Sequence, residues 1–527
     1  MASSAAAYFG PLPYIEGLTV RSIIDKGAAD HPDRTFAVFP DTGLKLTWSD
    51  LQRSALGLAV SLAESGVQVG EPVGVLMGNG KAALQLFLGC MHAGRISAMF
   101  NPIAGAHTLS HVVEHSDTKV LYTDKRHAEM ASAAIAATAC DIRLIVVESP
   151  SELDGSAANS ADASVGPKAD DDALLIYTSG TTGRPKGVIH THSSLLAGGA
   201  NTIAAHCLRS KDRALCVLPL CHINGQVVTV IAPLLSGSSL VMPHRFSVER
   251  FWDWAVSEGC TWLSLVPTMV SYLLGCEASS ACPHPAQLKN IRFGRSASAP
   301  LPPAVHEAFV ERFGIPIVET MGITETAAQM LSNPLDPRAQ RIGSPGVACG
   351  NEVRISATAT GQPGGNEEGE IEVRGPNLMR CYLADPVATR DAFTRDDWYR
   401  TGDLGRMDEE GFVYVTGRIK ELIIKGGENI SPREIDDVLY RYPGVLEAAA
   451  VAVPDPDYGE DILACVVAVP GSQIGEEALR AFCLEELGAF KSPRFFHFMD
   501  TLPKGPSGKI QRLKLSHELS PPHRAGT

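Results

Sequence analysis

Short apolar runs rich in Val, Ile and Leu alternate with amphipathic stretches through most of the first four hundred residues. Apolar runs of this length, separated by helical stretches, are typical of strands buried on both faces of a largely parallel sheet. The predicted strands are Pro72–Met77, Val120–Thr123, Arg143–Val147, Leu174–Thr178 and Ala214–Leu218. The pattern therefore predicts an α/β fold, with a large N-terminal domain of mainly parallel sheets flanked by helices.

The last hundred residues have a different pattern, which predicts a compact α+β unit. The predicted elements are a helix from Ser431-Pro432 to Arg441, strands Ala449–Val453 and Leu463–Val469, and a helix over Glu476–Leu487. Pro at the first helical position favours the start at Pro432. Because a chain of 527 residues exceeds what one core usually spans, at least two domains are expected.

The charge balance argues against nucleic acid and anionic membranes as partners. Lys and Arg number 45 against 59 Asp and Glu, for a net charge of -14, and nucleic acid or an anionic membrane needs clustered basic residues. No apolar run approaches the ~18 residues of a membrane span, and the first residues do not resemble a secretory signal. The 12 cysteines are scattered without a CxxC pair, which favours reduced thiols in a cytoplasmic protein.

The segment LLIYTSGTTGRPKGV, Leu174–Val188, leads a buried strand directly into a loop of small and hydroxyl-bearing residues. The candidate ligand-binding residues are Thr178, Ser179, Gly180, Thr181, Thr182, Gly183 and Lys186. Small residues let backbone N–H groups converge on an anion, and the hydroxyls and Lys186 add donors. The Walker A order is absent. Composition alone is equally compatible with a surface turn, and the preceding apolar strand favours a triphosphate cradle.

The run SGTTGRPKGV resembles the signature loop of the adenylate-forming superfamily, which includes acyl-CoA synthetases, luciferases and peptide-synthetase adenylation domains. Four more segments resemble motifs of that family, in the family's order: MGITET (Met321–Thr326), YRTGDLG (Tyr399–Gly405), GRIKELIIKGGENISPREID (Gly417–Asp436) and LPKGPSGKIQR (Leu502–Arg512). Five matches in order are hard to obtain by chance. The resemblance covers essentially the whole chain.

The resemblance implies a two-step reaction. An acid carboxylate attacks the α-phosphate of ATP to give an acyl-adenylate and pyrophosphate, and the acyl group then passes to coenzyme A. Both first reactants are anions, so positive charge and Mg²⁺ are expected to offset their repulsion. The implied roles are Lys509 between carboxylate and α-phosphate, Thr324 at the α-phosphate, Glu325 and Thr178 at Mg²⁺, Asp403 at the ribose, and Arg418 near ribose and phosphate. The alternatives are a turn cap for Asp403 and a surface ion pair for Arg418.

The resemblance also implies a domain rotation. Residues 1–418 would hold ATP and the acid, and residues 419–527 would form a mobile domain that carries Lys509. Rotation about Lys420 would remove Lys509 so that the thiol of CoA can enter. Gly426 and Gly427 would line the thiol tunnel, the alternative being an ordinary turn.

The acyl pocket departs from the common family pattern. PLCHINGQVVTV retains the pocket histidine, His222, but carries Asn224 and Gln226 where long-chain enzymes are apolar. In FGRSASAPL, Arg295 and Ser296 replace small neutral residues. A buried Arg needs a counter-charge, which a second anionic group on the substrate would supply. The alternative is that Arg295 points outward or pairs with a nearby acid.

The same two segments resemble two branches of the family. RSASA is similar to the corresponding run of oxalate–CoA ligases, and the stretch from His222 to Ser247 is similar to that of sulfoacetate–CoA ligases. The prediction is an acid–CoA ligase for a short dianionic acid, with sulfoacetate first and oxalate or malonate as alternatives. An enzyme that loads a separate carrier protein, and a silent nucleotide-binding protein, are further alternatives, and the expected state is a monomer or homodimer.

Overall fold

The fold is described from a computed structural model, which covers residues 8–155, 166–178, 185–275, 283–357, 368–505 and 509–519. The helices are α1 (Val20–Asp30), α2 (Trp48–Glu64), α3 (Lys81–His92), α4 (Ala106–His115), α5 (Ala128–Ala136), α6 (His192–His206), α7 (Ala232–Ser236), α8 (Phe251–Ser257), α9 (Pro267–Leu274), α10 (Pro303–Phe313), α11 (Pro386–Asp391), α12 (Pro432–Leu439), α13 (Glu476–Lys491) and α14 (Arg512–Leu519). The strands are β1 (Thr35–Phe39), β2 (Leu44–Thr47), β3 (Pro72–Leu76), β4 (Ile96–Met99), β5 (Val120–Asp124), β6 (Arg143–Val147), β7 (Asp172–Thr178), β8 (Lys186–Thr191), β9 (Arg213–Leu215), β10 (Ser239–Val241), β11 (Trp262–Leu265), β12 (Phe293–Ser296), β13 (Ile317–Ile323), β14 (Ala328–Ser332), β15 (Val347–Ala348), β16 (Glu352–Ala357), β17 (Gly369–Arg374), β18 (Cys381–Tyr382), β19 (Tyr399–Met407), β20 (Val413–Arg418), β21 (Ile423–Lys425), β22 (Glu428–Ile430), β23 (Val445–Asp455), β24 (Gly459–Ala468) and β25 (Phe495–Phe498).

A nine-stranded sheet has the strand order β15-β14-β13-β12-β11-β9-β10-β1-β2. Its strands from β13 to β1 pair in parallel, and antiparallel strands lie at both edges. Trp262 on β11 and Phe293 on β12 stack in its core, with ring centroids 5.7 Å apart. Because Ser296 lies opposite Glu319 in the parallel pair β12 and β13, the residues that follow them emerge at one edge of the sheet.

A seven-stranded sheet has the order β18-β8-β7-β4-β3-β5-β6. The strands from β7 to β6 pair in parallel, and β8 and β18 add to them as antiparallel strands. Thr178, at the end of β7, lies opposite Lys186, at the start of β8. The two ends of the signature loop are therefore fixed by neighbouring strands of one sheet.

Two smaller sheets complete the fold. One has the order β16-β17-β19-β20 and is antiparallel, and the other joins β22, β21, β24 and β23, with β25 beside β24. Alternate residues of β23 face opposite sides of the second sheet. Ala448 and Ala450 pack with α12 and α13, and Ala449 and Val451 pack with Leu515 of α14. The C-terminal sheet is thus covered by helices on both faces.

The α/β prediction is confirmed, and the predicted strands and helices are present, most of them with altered bounds and Arg143–Val147 with the bounds predicted. The strand predicted to continue to Leu218 pairs only as far as Leu215, shortly before Pro219. The helix predicted to reach Arg441 ends at Leu439, because the N–H of Arg441 bonds to the carbonyl of Val438, three residues back. β23 is longer than predicted, because it pairs with β24 over most of its length.

Candidate active site

A cavity of about 200 Å³ lies between the large sheets and the C-terminal unit. Its lining includes Ser296, Ser298, Met321, Gly322, Asp403 and Arg418 on one side and Arg433, Asp436, Lys509 and Arg512 on the other. Ser296 and Met321 line the same wall because they lie on β12 and β13, which pair in parallel. Four residues singled out from separate sequence motifs, Ser296, Asp403, Arg418 and Lys509, therefore share one cavity.

Asp403 and Arg418 lie opposite each other on the antiparallel strands β19 and β20. The Arg418 Nε donates to Asp403 Oδ1, and Nη2 lies 3.4 Å from Oδ2. Burial alone would lower the pKa of Arg418, but the attraction of Asp403, with Glu421 and Glu325, outweighs it and holds that pKa above its ordinary value. Gly402 precedes Asp403 with φ of 72°, a left-handed conformation that favours glycine. The pair presents an acceptor and a fixed positive charge to the cavity.

Lys509 enters the cavity from the C-terminal unit. Its Nζ lies 3.9 Å from Glu421 Oε1, and Arg512 Nε lies 3.5 Å from Glu421 Oε2. Burial and the nearby charge of Arg418 lower the pKa of Lys509, and Glu421 opposes that shift. Glu421 lies in the short turn Ile419–Glu421 that follows β20, and sequence reasoning missed it. The signal was its place in GRIKEL, three residues after Arg418.

Glu325 lies in a 3₁₀ turn, Thr324–Thr326, directly after β13. Its Oε1 accepts a hydrogen bond of 2.8 Å from the Tyr382 hydroxyl, whose oxygen is 3.1 Å from that of Tyr399. The Lys186 Nζ lies 4.6 Å from the centroid of the Tyr382 ring. Lys186 and Glu325, which come from separate motifs, thus meet at one tyrosine. Tyr382 was not predicted, and Tyr399 was predicted only as part of a motif.

The Thr324 carbonyl accepts a hydrogen bond of 2.7 Å from His190 Nε2, which ties the turn to β8. Burial lowers the pKa of His190 to about 4, so the ring is neutral at pH 7. Five predicted loop residues, Ser179, Gly180, Thr181, Thr182 and Gly183, lie outside the described residues. The loop ends, Thr178 and Lys186, face each other across β7 and β8.

Arg295 is the large buried cation of this region, with 1% of its surface exposed. Its Nη1 donates to Asn224 Oδ1 over 2.8 Å, and its Nε lies 3.4 Å from Gln329 Oε1. Within the described part of the chain, no carboxylate forms an ion pair with it. Burial lowers the pKa of Arg295 to about 9, so it is still protonated at pH 7. A charged guanidinium is therefore held by two neutral amides.

Asn224 connects Arg295 to the cavity wall. Its Nδ2 donates to the Ser298 hydroxyl over 3.4 Å, and Ser298 lines the cavity. Of the predicted pocket residues in the described chain, only Ser296 lines this cavity, whereas Asn224, Gln226 and Arg295 are buried outside its lining and His222 is partly buried there. The Gln226 Nε2 donates to the Leu220 carbonyl over 2.7 Å. Burial lowers the pKa of His222 to about 4. Arg295 and Asn224 thus form a buried polar pair behind the cavity wall at Ser298.

Gly426 and Gly427 form the turn between β21 and β22, with φ of 57° and 85°. Two consecutive positive φ angles are typical of a tight hairpin turn, which glycine adopts without strain. The N–H of Gly426 donates to the Tyr458 carbonyl over 2.8 Å. Among the described residues, neither glycine lines the cavity, so the tunnel assignment stays a prediction. Lys420, the predicted hinge, lies in the turn after β20.

Two family models match the chain. The model described as "AMP-binding enzyme" matches residues 24–383, and the model described as "AMP-binding enzyme C-terminal domain" matches residues 434–509. A sulfoacetate–CoA ligase of Cupriavidus necator is 46% identical over 94% of this chain and 97% of its own length. An oxalate–CoA ligase of Arabidopsis thaliana is 35% identical over 96% of this chain and 99% of its own length.

Solved structures resemble the fold over nearly its whole length. ATP-bound MatB from Rhodopseudomonas palustris has a TM-score of 0.86 and 28% identity, and the match covers 95% of this chain and 99% of that chain. In the described ranges, no helix is both long enough and apolar enough to cross a bilayer. Both family models match in the expected order, and the relatives match almost end to end. The chain therefore belongs to the AMP-binding enzyme family, as an AMP-forming acid–CoA ligase.

Proposed function

We propose that this ligase activates a short dianionic acid, with sulfoacetate as the first candidate and oxalate or malonate as the alternatives. The observation that carries the proposal is Arg295, a buried guanidinium that neutral amides hold and that no carboxylate among the described residues balances. Leaving a buried charge without a counter-ion costs several kcal/mol. A substrate that brings a second negative charge would recover part of that cost on binding.

Asn224 supplies a route for this charge to act on the cavity. Its carbonyl accepts from Arg295 and its amide nitrogen donates toward Ser298, so the amide is polarised with its donor side toward the cavity wall. An anionic group held against Ser296 and Ser298 would meet this donor, with the guanidinium behind it. The sulfoacetate–CoA and oxalate–CoA ligases among the relatives act, by their names, on acids of this class.

The remaining site residues supply what the adenylation step requires. We assign Lys509 the role of offsetting the repulsion between the two anionic reactants, because its ammonium lies in the same cavity as Arg418 and Asp403. Asp403 is the buried acceptor for the ribose hydroxyls. Thr178 and Lys186 lie at the ends of the signature loop and would face the phosphates, together with Thr324.

Glu325 and the Thr178 hydroxyl would supply only oxygen ligands, which fits Mg²⁺ because this ion takes oxygen ligands and keeps several waters beside phosphates. When bound, the ion would neutralise phosphate charge. The chain's own part is to hold the Glu325 carboxylate in place through the Tyr382 hydroxyl.

The transfer to CoA needs a second arrangement of the C-terminal unit. We propose that residues 419–527 rotate about Lys420 relative to residues 1–418, which withdraws Lys509 and brings Gly426 and Gly427 to the thiol path. The described arrangement, with Lys509 in the cavity and the two glycines away from it, suits the adenylation step. The Lys504 Nζ donates to the Tyr272 hydroxyl over 3.0 Å and links the two parts in this arrangement.

We infer the cellular compartment of the enzyme from its substrates. ATP and CoA are intracellular metabolites, and the ten described cysteines are all free. We propose that the enzyme works in the cytoplasm.

The proposal is tested by pyrophosphate release with ATP, Mg²⁺ and CoA across sulfoacetate, oxalate, malonate, acetate, benzoate and octanoate. The CoA thioester is measured by mass spectrometry in the same reactions. Turnover confined to the dianions, with one thioester per pyrophosphate, is the expected result. Preference for benzoate or octanoate would refute the substrate class. Pyrophosphate release that does not depend on CoA would favour the carrier-loading alternative.

A further inference from the structure

A short segment, residues 377–383, fastens together the two regions that would face the phosphates; we call it the strap. Its strand β18 pairs with β8, with Tyr382 opposite Val188. The N–H of Arg380 donates to the Ile189 carbonyl over 2.8 Å, and that of Leu383 donates to the Gly187 carbonyl over 2.7 Å. The strap is therefore fixed to the strand that begins at Lys186.

The same strap holds the turn that carries Glu325. The Asn377 side chain donates to the Thr326 carbonyl over 2.8 Å, and the N–H of Met379 donates to the Glu325 carbonyl over 2.7 Å. Together with the bond from Tyr382 to the Glu325 carboxylate, the strap contacts the turn at three points. Glu325 is thus positioned relative to β8 by an element that belongs to neither motif.

Tyr382 lies between two opposite charges. Its ring faces the Lys186 ammonium, its hydroxyl donates to Glu325, and 7% of its surface is exposed. No ion pair joins Lys186 to Glu325 in the described structure. A direct pair between them would withdraw a positive charge from the phosphates and an oxygen ligand from the cation. The tyrosine holds the Lys186 ammonium by a weaker contact that a ligand can replace, because a cation–π contact is worth about 0.5–2 kcal/mol.

The direction of the hydrogen bond suits this arrangement. A phenol hydroxyl keeps its proton at neutral pH, so Tyr382 donates and the Glu325 carboxylate accepts.

We propose that Tyr382 is a positioning residue for acyl-adenylate formation, which keeps Lys186 and Glu325 apart and aims them at the triphosphate and its cation. The inference rests on the proposed roles of Lys186 and Glu325. It adds that their separation depends on one phenol ring and its hydroxyl. Tyr382 acts through these two residues.

Ligand binding separates this inference from the substrate proposal, because ATP binding needs neither acid nor CoA. The experiment measures ATP affinity by calorimetry with and without Mg²⁺, and the Mg²⁺ concentration that gives half of the ATP-dependent rise in unfolding temperature. The variants are Tyr382→Phe, which removes only the hydroxyl, and Tyr382→Leu, which also removes the ring. Tyr122→Phe is the matched control, because Tyr122 is a buried tyrosine on β5 of the same sheet.

The expected result for Tyr382→Phe is an increase of about tenfold in the half-saturating Mg²⁺ concentration, as for loss of one hydrogen bond to a charged group, with metal-free ATP affinity unchanged. Tyr382→Leu is expected to weaken metal-free ATP binding as well. Tyr122→Phe should match the parent protein. An unchanged Mg²⁺ dependence in Tyr382→Phe would overturn the inference.

A double variant keeps the test decisive if Tyr382→Leu fails to fold. In a Glu325→Gln background the residue through which Tyr382 acts on the cation is already altered, so Tyr382→Phe should add no further loss of Mg²⁺ dependence. Additive losses would show that Tyr382 acts elsewhere and would contradict the inference. If the parent protein binds Mg²⁺ and ATP but turns over no dianionic acid, the substrate proposal fails and the role of Tyr382 stands.

Discussion

The Arg295 guanidinium donates to the side-chain carbonyl of Asn224 over 2.8 Å, and the amide nitrogen of the same Asn224 donates toward Ser298 on the cavity wall. A buried positive charge is in this way one side chain away from the space where the acid would lie. The neighbouring Arg292 has a different environment, since its Nη1 lies 2.9 Å from the Asp212 carboxylate. Arg292 therefore has a carboxylate as a counter-ion, whereas Arg295 has none among the described residues, and the first prediction rests on this difference.

Arg295→Met should raise the free energy of unfolding of the ligand-free protein. Relief of a buried, unpaired charge is worth several kcal/mol, whereas the amide oxygens left without a donor cost about 1–3 kcal/mol, so a net gain of about 1–3 kcal/mol is expected. Arg292→Met should lower it by about 1–3 kcal/mol, because the buried Asp212 then loses a partner. Urea unfolding of both variants measures the two changes. A loss of stability in Arg295→Met as large as in Arg292→Met would show that Arg295 is structurally balanced.

The affinity for dianionic acids should fall as the pH rises through about 9. The folded pKa of Arg295 lies near that value, below its unfolded value, so the guanidinium is charged below pH 9 and loses its proton above it. By the same shift, the unfolded chain binds more protons than the folded one from about pH 9 up to the ordinary pKa of arginine, and this group's contribution to stability increases with pH across that window.

The kinetic measurement for this prediction is the pH profile of kcat/KM, which reports ionisations of the free enzyme. The expected outcome is a steeper decline above pH 9 in the parent protein than in Arg295→Met, since the lowered pKa of Lys509 affects both proteins alike. Identical profiles in the two proteins would remove Arg295 from substrate recognition.

Lys509→Ala should abolish acyl-adenylate formation but spare thioester formation from supplied acyl-adenylate. The first step brings two anions together and needs the ammonium, whereas in the second step the proposed rotation has already withdrawn it. The two half-reactions are measured separately, as pyrophosphate release and as CoA consumption. Lys514→Ala, which removes an exposed lysine of α14 paired with Glu518, serves as the control. Equal loss of both half-reactions would disprove the assigned role.

Tyr272→Phe should slow the adenylation step selectively. The substitution removes the hydroxyl that accepts from Lys504 across the two parts of the chain, while Lys504 keeps its ion pair with Glu447. One hydrogen bond of this kind is worth about 1 kcal/mol, so a decrease of about fivefold is expected. Thioester formation from supplied acyl-adenylate should be unchanged or faster. A slowing of both steps by the same factor would mean that this contact does not distinguish the two arrangements.

The sequence predicted the fold class and the neighbourhood of the cavity, because buried strands and motif order depend on local composition. It did not predict that Asp403 and Arg418 pair across β19 and β20, since that depends on strand register. Tyr382 and Glu421 were missed for a similar reason. A single tyrosine or glutamate adds nothing to a helix or strand pattern, and the role of each depends on contacts with residues that are distant in sequence.

Arg295 shows which features the sequence predicts and which depend on tertiary contacts. Its sequence position marked it as unusual, and its charge made a counter-ion necessary if it were buried. Only the packing of β12 against the π-helical segment Asn224–Ile231 identifies the neutral amide that holds it. The sequence thus indicated that a buried Arg295 would need a partner, and the tertiary structure identifies Asn224 as that partner.

The central claim is that a second negative charge on the acid is recognised, and one matched pair of substrates tests it directly. Methylsulfonylacetate has nearly the shape of sulfoacetate, but a methyl group replaces one sulfonate oxygen and removes its charge. The measurement is kcat/KM for CoA-thioester formation with both acids, in the parent protein and in Arg295→Met. We predict that the parent protein prefers sulfoacetate by about 10- to 100-fold, as for one charge-assisted contact, and that Arg295→Met loses this preference. Equal use of both acids by the parent protein, or an unchanged preference in the variant, would contradict the account.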